Sequence, residues 1–529
     1  MPSRRSRQRL HARAPLRGTP EDNESPRDPV GPEGFLVPAQ FISDRADDLA
    51  PHGCRHQPQL LERLDRLRQR ARRGEERLAH VLPEECLELE VRRPVDDARV
   101  GNGVQVAAVV VRLLRRVEER VALGGVPTGF VGLALTPSLL DGLKSGNLQL
   151  LSPNEVQVYG TASLDLSRLE VAAPGVLAAT PDAALTVTAQ NITLGSSSSS
   201  GGIPLTTAGS GAVTLNAANV TFGGGDFAFD AFASTSINAT AAVTVTGSAA
   251  IGAAGNLTLA TPQISANGPV DLTLAATGDL LLTSTGAAVA GQTPPAAGAS
   301  IDFIGANVTL DTHVRSPSGQ VNVTATNGNV TLGSSALIDV SGFSQTFLTK
   351  TVSADGGAVS LTANLGSVDI HNGATIDVSA GTGQGSGGSL ALRAPSGGVV
   401  IAGTLNGKGG THGEGSSLLV DTQAIDMGEI ETLNAQDGFT GSIALRQEGA
   451  GDLVVSAGQS LVATRITLEA DQGGVDIAGT LDTRSPTGGS VSIGASGTVS
   501  VEGSILADAT GYATRGGSIE LDSSAGGIL

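Results

Sequence analysis

Short runs in which apolar and polar residues alternate recur along the chain from about residue 184 onward. The clearest unit begins at Gly356 and reads GGAVSL, then GSVDI, then GATIDVSA. In the first run, Val359 and Leu361 lie on either side of Ser360. A period of two is typical of a strand with one buried face. The unit therefore predicts three short strands, each introduced by glycine.

The same triplet of runs returns several times. Copies occupy residues 387–407, 466–483 and 488–508, and another copy opens at GGSIEL (516–521). Glycine suits the corners, because tight bends need positive φ or close approach of the backbone. Three strands and three corners per unit predict one coil of a parallel β-helix, an all-β fold in which stacked coils complete the core. A propeller or a β-sandwich is the competing architecture, but the GG-x-h-x-h signature (h, apolar) at one phase favours the solenoid.

Three regions differ in composition. Residues 1–120 form an Arg-rich segment, expected to be irregular or partly helical; residues 121–183 form a transitional segment with short strands; residues 184–529 carry the β-helix repeats. The chain stops at GGIL, inside the second strand of a coil. A bare final coil would expose strand edges, so we expect the truncated product of a longer gene.

The Arg-rich segment has two interpretations. It holds 23 of the 33 basic residues, all of them Arg, beside 20 acidic residues. Leu60, Leu61, Leu64 and Leu67 follow helical spacing, and a second such segment runs over residues 104–121. The segment is either a basic helical module that binds an acidic partner, or a non-native sequence read from the wrong start or frame of a GC-rich gene.

The rest of the chain is strongly acidic. Residues 121–529 hold 10 basic and 31 acidic residues, a net charge of −21. Such a surface repels nucleic acid and anionic lipid, so neither is an expected partner. The apolar run over residues 104–121 is too short and too charged to span a bilayer, because Arg112, Arg115 and Arg116 interrupt it. The first residues contain no apolar run of the kind found in export signals, so we expect none there.

Composition also argues against a catalytic pocket. The chain has 72 Gly, no Trp and only 2% aromatic residues, whereas an enzyme of this size places aromatic residues in its core and its pocket. Both cysteines, Cys54 and Cys86, lie in the Arg-rich segment, so the repeats contain no disulfide or thiolate metal site. We therefore predict that the chain is not an enzyme, with no catalytic residue, no cofactor and no metal site.

Several motifs imitate functional sites. GTLNGKGG contains Gly-Lys, but Lys408 is followed by Gly409 rather than Ser or Thr, so a β-corner is the better interpretation. GGGDFAFD (223–230) is similar to a calcium-binding nonapeptide, but Asp226 falls too early and the pattern occurs once. The histidines of the repeats are isolated and are predicted to be solvated: His313, His371 and His412.

Polar residues recur at a similar phase of the third strand, at Asp339, Asp377, Asn406 and Asp482. A catalytic pair of the kind found in carbohydrate-active β-helices would need close, chemically distinct acids, a neighbouring cation and an aromatic sugar platform. The repeats have few Lys or aromatic residues. The favoured interpretation is an outward polar stripe.

Asn-x-Thr also recurs, mostly where a strand is predicted to begin. In a eukaryotic secreted protein these sites would accept glycans, but here the repeat itself explains them. The residues are Asn191, Asn219, Asn238, Asn256, Asn307, Asn322 and Asn329.

Loops of variable length share one phase of the repeat, after the third strand. They are GTGQGSGG (381–388), GKGGTHGEGS (407–416), RSPTGG (484–489) and ATGYATRGG (509–517). Insertions at one phase project from one edge of a solenoid, which is often the contact edge. The alternative is that they are solvated corners without a ligand.

The sequences GNLTLA, GGAVSLTANLGSVDIHNGATIDVSAG and GGSVSIGASGTVSVEG resemble the large bacterial exoproteins of the filamentous haemagglutinin family. The resemblance covers about residues 145–529, and LSPNEVQVYGTASLDLSRLEVAAPGV is similar to the region ahead of the repeats in these proteins. It implies a right-handed β-helix, export through an outer-membrane transporter of the two-partner secretion type, and a secreted or cell-surface location in a Gram-negative bacterium. It also implies adhesion to glycans or proteins on host cells or other bacteria. The Arg-rich segment departs from the start of these exoproteins, so we expect neither their export signal nor their secretion domain in it.

The sequence therefore favours a structural and adhesive β-helical rod, a fragment of a haemagglutinin-like adhesin that binds surface partners through its corner loops. A carbohydrate-active β-helix enzyme, a polysaccharide lyase or hydrolase, is the alternative from another class, and paired acids about 5–9 Å apart in a groove would favour it. A non-functional gene fragment is the third hypothesis.

Overall fold

Stacked parallel strands make up most of the described chain. The computed structural model describes residues 120–196, 205–286, 297–511 and 516–529, together with the backbone of three earlier strands. These residues form a β-solenoid of about 15 turns, with 53% strand and 4% helix. At about 4.8 Å per turn, the stack is roughly 70 Å long. The predicted all-β solenoid is confirmed, while the predicted helical spacing at Leu60–Leu67 lies outside the described residues.

The strands are numbered in chain order. The first group is β1 (Ala79–His80), β2 (Glu88–Arg92), β3 (Ala108–Arg112), β4 (Val121–Gly124), β5 (Leu133–Leu135), β6 (Asn147–Leu151), β7 (Val156–Tyr159), β8 (Thr161–Asp165), β9 (Arg168–Ala172), β10 (Gly175–Ala178), β11 (Ala184–Gly195), β12 (Gly211–Phe222), β13 (Gly225–Asp230), β14 (Phe232–Val245) and β15 (Ala249–Ala253). The second group is β16 (Asn256–Ala260), β17 (Gln263–Ala266), β18 (Asp271–Ala276), β19 (Leu280–Thr283), β20 (Ser300–Gly305), β21 (Val308–Asp311), β22 (His313–Arg315), β23 (Gln320–Ala325), β24 (Val330–Leu332), β25 (Leu337–Asp339), β26 (Ser344–Phe347), β27 (Lys350–Ser353), β28 (Ala358–Ala363), β29 (Val368–Ile370) and β30 (Thr375–Asp377). The third group is β31 (Ser389–Ala394), β32 (Val399–Ile401), β33 (Thr404–Asn406), β34 (Ser417–Thr422), β35 (Ser442–Gln447), β36 (Leu453–Val455), β37 (Ser460–Val462), β38 (Arg465–Ala470), β39 (Val475–Ile477), β40 (Thr480–Asp482), β41 (Ser490–Ala495), β42 (Val499–Val501), β43 (Ser504–Leu506) and β44 (Ser518–Ser523).

The coils have three faces. The first face is one 16-stranded sheet that runs from β5 and β4 to β44. The second and third faces share a 20-stranded sheet, because β11, β12 and β14 are long enough to pass through both. After β33 these two faces continue as two separate sheets, β36–β39–β42 and β37–β40–β43.

One aliphatic interior runs along the stack. On the third face, Ile338, Ile376 and Leu405 pair in register and are buried. The alternation predicted from sequence produces this arrangement, because every second side chain of a strand points to the same side. The largest fully buried side chains include six phenylalanines: Phe222, Phe227, Phe229, Phe232, Phe303 and Phe439.

Parallel pairing begins well before residue 184. The strand β4 pairs with β7, and β6 pairs with β9, so residues 121–183 already belong to the stack. The strand β3 pairs antiparallel with β2 and parallel with β6. The expectation of a helix over residues 104–121 is therefore wrong at 108–112, where the β-branched run Val-Val-Val favours a strand.

Two helices interrupt the described strands. The helix α1 (Pro137–Gly142) begins with Pro at its first turn and buries Leu139 and Leu140. The helix α2 (Met427–Gln436) follows β34 and takes the place of the second-face and third-face strands of its coil. In the described part of the chain, neither helix is long and apolar enough to cross a membrane.

The sequence of α2 explains its position. Asp426 caps its N-terminus by accepting hydrogen bonds from the amides of Gly428 (2.9 Å) and Glu429 (3.3 Å). Three apolar side chains at helical spacing complete the interior of this coil: Met427, Ile430 and Leu433.

Candidate functional site

The variable loops lie at one corner of the solenoid, between a third-face strand and the next first-face strand, which we call the loop edge. Residues 379–388 lie between β30 and β31, residues 407–416 between β33 and β34, and residues 484–489 between β40 and β41. The described parts of the loop over 509–517 fall at the same corner. The structure therefore brings together the loops that the sequence grouped by phase.

Backbone hydrogen bonds join consecutive loops into a ledge. The amide of Ala380 donates to the carbonyl of Lys408 (2.9 Å), and the amide of Gly410 donates to the carbonyl of Gly385 (2.8 Å). The loops thus continue the hydrogen-bonding pattern of the coils beyond the strands, which leaves side chains to face solvent. The exposed side chains of the loop over 407–416 include Lys408, Thr411, His412 and Glu414.

The predicted polar stripe is present on the third face. Asp339, Asp377 and Asn406 pair in register. Asn406 Nδ2 donates to Asp377 Oδ2 (3.0 Å), and Arg315 Nε donates to Asp339 Oδ2 (3.1 Å). Asp377 also accepts a hydrogen bond from the amide of Ser379 (2.9 Å). These carboxylates are engaged in bonds within and between coils.

Asp482 lies apart from these three residues, in the later third-face sheet. It pairs with Val462 and Leu506 in register. Arg484 Nε donates to Asp482 Oδ1 (2.9 Å), and this hydrogen bond lowers the pKa of Asp482. The structure thus brings together three of the four residues that the sequence placed in one stripe.

Most of the Asn-x-Thr residues on the second face take part in a ladder at the corner before the strands. Asn307 Nδ2 donates to Asp279 Oδ1 (2.8 Å), and Asp279 in turn donates its amide to Asn256 Oδ1 (2.9 Å). The amides of Asn329 and Ser367 donate to the side chains of Asn307 (3.0 Å) and Asn329 (2.9 Å). Each side chain bridges to the next coil, in agreement with an origin in the repeat.

A charge cluster on the first face was not visible in the sequence. Arg446 Nη2 lies 2.7 Å from Asp471 Oδ2, and Arg446 Nη1 lies 3.1 Å from Glu448 Oε1. The hydrogen bond with Asp471 is the main cause that raises the pKa of Arg446. Asp471 comes from the next coil, so only the register of the strands brings it to Arg446, whereas Glu448 lies two residues from Arg446 in the same coil. Ion pairs at this exposure contribute little to stability.

A shallow groove of about 400 Å³ runs beside the loop edge, at the start of the first-face strands. Its lining residues carry no carboxylate: Gly298, Ala299, Ser300, Ser318, Gly319, Gln320, Gly356, Gly357, Ala358, Gly388 and Ser389. The stacking of coils accounts for the small residues, because a Cβ at Gly388 would overlap the carbonyl oxygen of Gly357. This close approach explains the GG-x-h-x-h signature.

The remaining candidate motifs occupy ordinary structural positions. Lys408 lies in a corner loop that leads into a strand, and Asp226 lies within β13. His313 is half-buried, and burial, followed by the charge of Arg315, lowers its pKa. The described residues hold no group of three or more His, Cys, Asp or Glu placed to bind a metal ion.

A β-hairpin that the repeat pattern did not predict lies on the loop edge. The strands β26 and β27 pair antiparallel and are inserted between β25 and β28. The insertion separates Ser367 from Asn329, its neighbour in the stack, by 38 residues, against 22 between Asn329 and Asn307. The alternating runs SQTF and KTVS, joined by Leu348-Thr349, could have signalled the hairpin, but they lack the signature of the repeat.

Comparison with known proteins gives no relative: no family model, no curated protein and no solved structure matches the chain. The likeness to haemagglutinin-related exoproteins therefore stays a prediction from the repeat sequences.

Proposed function

We propose that this chain is the β-helical rod of a haemagglutinin-like adhesin, and that its loop edge binds a partner on a host-cell or bacterial surface. The observation that carries the proposal is that each coil combines regular strands with a variable loop at one corner. From β28 onward every first-face strand has six residues and every second-face or third-face strand has three, while loops of different length and composition project from one corner. A rigid scaffold with variation at one edge suits recognition, because the loops can change without disturbing the core.

The chemistry beside the loop edge supports binding rather than hydrolysis or elimination. The lining of the groove offers no carboxylate, and Asp339 and Asp377 are engaged by side chains of neighbouring coils. A carbohydrate-active site would need two acids about 5–9 Å apart in a groove. The proposed partners are glycans or proteins of the target surface. Export through a two-partner secretion transporter, and location outside a Gram-negative cell, belong to the same proposal.

The test is binding of the fluorescently labelled full chain to cultured epithelial cells and to Gram-negative bacteria, measured by flow cytometry. We expect saturable binding to at least one of these surfaces. A loop-edge variant that combines Lys408→Ser, His412→Ser and Glu414→Ser should bind more weakly. A control variant with Asp369→Ser and Val400→Ser, on the second face, should bind like the parent. No binding to any intact surface, or equal loss in both variants, would contradict the proposal.

The proposed location has a separate test. Antibodies against the stack should detect the intact chain in culture supernatant, or on intact cells where added protease removes it. Detection only inside the cell would contradict export.

A further inference from the structure

The hairpin β26–β27 has two different faces. Ser344 pairs with Ser353, and Thr346 pairs with Thr351, across the two strands. Both serine hydroxyls donate to the carbonyl of Thr382 in the neighbouring loop. The threonine hydroxyls lie 2.9 Å apart. Because side chains alternate along a strand, these four hydroxyls share one face of the hairpin, and the two serines anchor its base to the neighbouring loop.

The opposite face and the turn carry apolar side chains in solvent. Phe347 pairs with Lys350, and Gln345 pairs with Val352, on this face. The exposed fraction is 63% for Phe347 and 50% for Val352, and Leu348 at the turn is fully exposed. These side chains contribute little to the core of the stack, so their role lies outside it.

The turn also holds a strained backbone. Leu348 has a φ of +55°, a left-handed conformation that costs a branched L-residue free energy and that glycine or asparagine would adopt more easily. Because Leu348 is fully exposed, packing of its side chain does not offset the cost of this backbone conformation. Strain of this kind is concentrated at functional positions.

The charge of the hairpin is opposite to that of the rest of the chain. No Asp or Glu occurs between Phe343 and Ala354, where Lys350 is the only charged residue. Residues 121–529 as a whole carry a net charge of −21. The hairpin is therefore an apolar and cationic projection from an acidic surface.

We propose that the hairpin tip inserts into the interface of a zwitterionic phospholipid bilayer, with Phe347 and Leu348 among the acyl chains and Lys350 at the level of the phosphates. Long cationic side chains reach such a position readily, because the stem is apolar and the charge stays wet. The area that three apolar side chains can bury falls far short of the roughly 1,000 Å² that a specific protein interface needs. Binding at a membrane interface has no such threshold, because its strength increases with each apolar side chain that is buried. The acidic body disfavours anionic lipid.

This inference rests on the proposed function and names one partner for the loop edge. Insertion of a single tip is weak, so it would act together with the neighbouring loops or with several molecules at one surface. The tip would then hold the rod at the bilayer while the other loops contact surface groups.

The test is co-sedimentation of the full chain with phosphatidylcholine vesicles. We expect binding that falls when phosphatidylserine is added at low salt. The double variant Phe347→Ser, Leu348→Asn should lower the partition coefficient by at least about tenfold. The matched control is Leu365→Ser, which removes a leucine of 63% exposure from a turn outside the hairpin and should bind like the parent. No sedimentation of the parent, or equal sedimentation of the double variant, would overturn the inference.

The cell-binding assay separates this inference from the proposed function. If the chain binds cells but not phosphatidylcholine, the lipid contact is wrong and the adhesive function stands. If the double variant loses cell binding while it keeps vesicle binding, the hairpin docks into a protein instead, and the inference is again wrong. If vesicles bind and no cell does, the adhesive function is wrong.

Discussion

Asn434 of α2 bonds to both backbone groups of Val462 in the next coil. Its Oδ1 accepts from the Val462 amide (2.8 Å), and its Nδ2 donates to the Val462 carbonyl (2.7 Å) and to the Phe439 carbonyl (2.8 Å). One turn earlier, Glu431 Oε1 accepts from the Ser460 amide (2.9 Å). Glu431 and Asn434, three residues apart on the helix, thus bond to Ser460 and Val462, two residues apart on a strand. In other coils, the residues at the positions of Ser460 and Val462 pair with a strand of the preceding coil. This replacement allows the stack to continue past a coil that lacks two strands.

The change Asn434→Ala tests this replacement. The side chain is buried, and its loss would leave the Val462 amide and two carbonyl oxygens without their partner. We expect the free energy of unfolding to fall by about 2–4 kcal/mol, measured by urea denaturation, and amide exchange to accelerate at Val462. Asn364→Ala, at an exposed asparagine, is the control and should change stability little. Equal effects of the two changes would show that the side chain of Asn434 is not a bridge between coils.

The alternation along the chain was sufficient to predict the stack, because burial of every second residue is a local property. Val359 and Leu361 are buried on the side where the pattern placed them. The helix α2 was not predicted, although MGEIETLNAQ contains several good helix formers. The segment is short and lies between repeat strands, and its burial depends on contacts with residues distant in sequence.

The candidate site was only partly predictable. The loops at 381–388 and 407–416 occupy the same position within the repeat. Because each repeat forms one coil, loops at the same position lie at the same corner of the stack. The hairpin at 344–353 exposes Phe347, Leu348 and Val352 on the loop edge, but its sequence breaks the repeat and did not indicate a site. Arg446 and Asp471 are 25 positions apart, and no local pattern reveals such a pair.

The paired glycines of the repeat provide a matched test of coil stacking. A Cβ at Gly388 would overlap the backbone of Gly357 in the preceding coil, whereas a Cβ at Gly398 meets no atom within 4 Å. We expect Gly388→Ala to lower the free energy of unfolding by about 3 kcal/mol or more. Gly398→Ala should be neutral or stabilise by up to about 1 kcal/mol, because alanine restricts the unfolded chain. Urea midpoints compare the two, and similar losses in both variants would argue against close stacking at the first corner.

The side chain of Glu155 predicts a pH dependence of stability. Burial, followed by the negative charge of Asp230, raises the pKa of Glu155 in the folded state. The protonated form therefore stabilises the fold below the unfolded pKa of about 4.3, and this contribution is lost as pH rises through the folded pKa. Glu155→Gln removes the titration, so the variant should unfold at higher urea concentration than the parent at pH 7.

The advantage of Glu155→Gln should shrink as pH falls from 7 through the folded pKa of Glu155, and it should be gone below about 4, where the parent is protonated in both states. Urea midpoints measured from pH 3.5 to 7 follow this difference. The control is Glu520→Gln, at an exposed glutamate, whose urea midpoint at pH 7 should match that of the parent. A constant gap between Glu155→Gln and the parent across this range would contradict the assignment.

The turn of the hairpin predicts that one substitution stabilises the fold and weakens lipid binding. Leu348→Asn keeps the left-handed conformation at a residue type that accepts it, so the hairpin should gain about 1 kcal/mol. Slower amide exchange in β26 and β27 would report this gain, because local opening of the hairpin governs exchange there. Leu365→Asn changes a leucine without positive φ and should leave exchange in β26 and β27 unaltered. If Leu348→Asn leaves exchange unchanged or accelerates it, Leu348 is not strained, and the argument that an apolar residue is kept at this turn at a cost to stability fails.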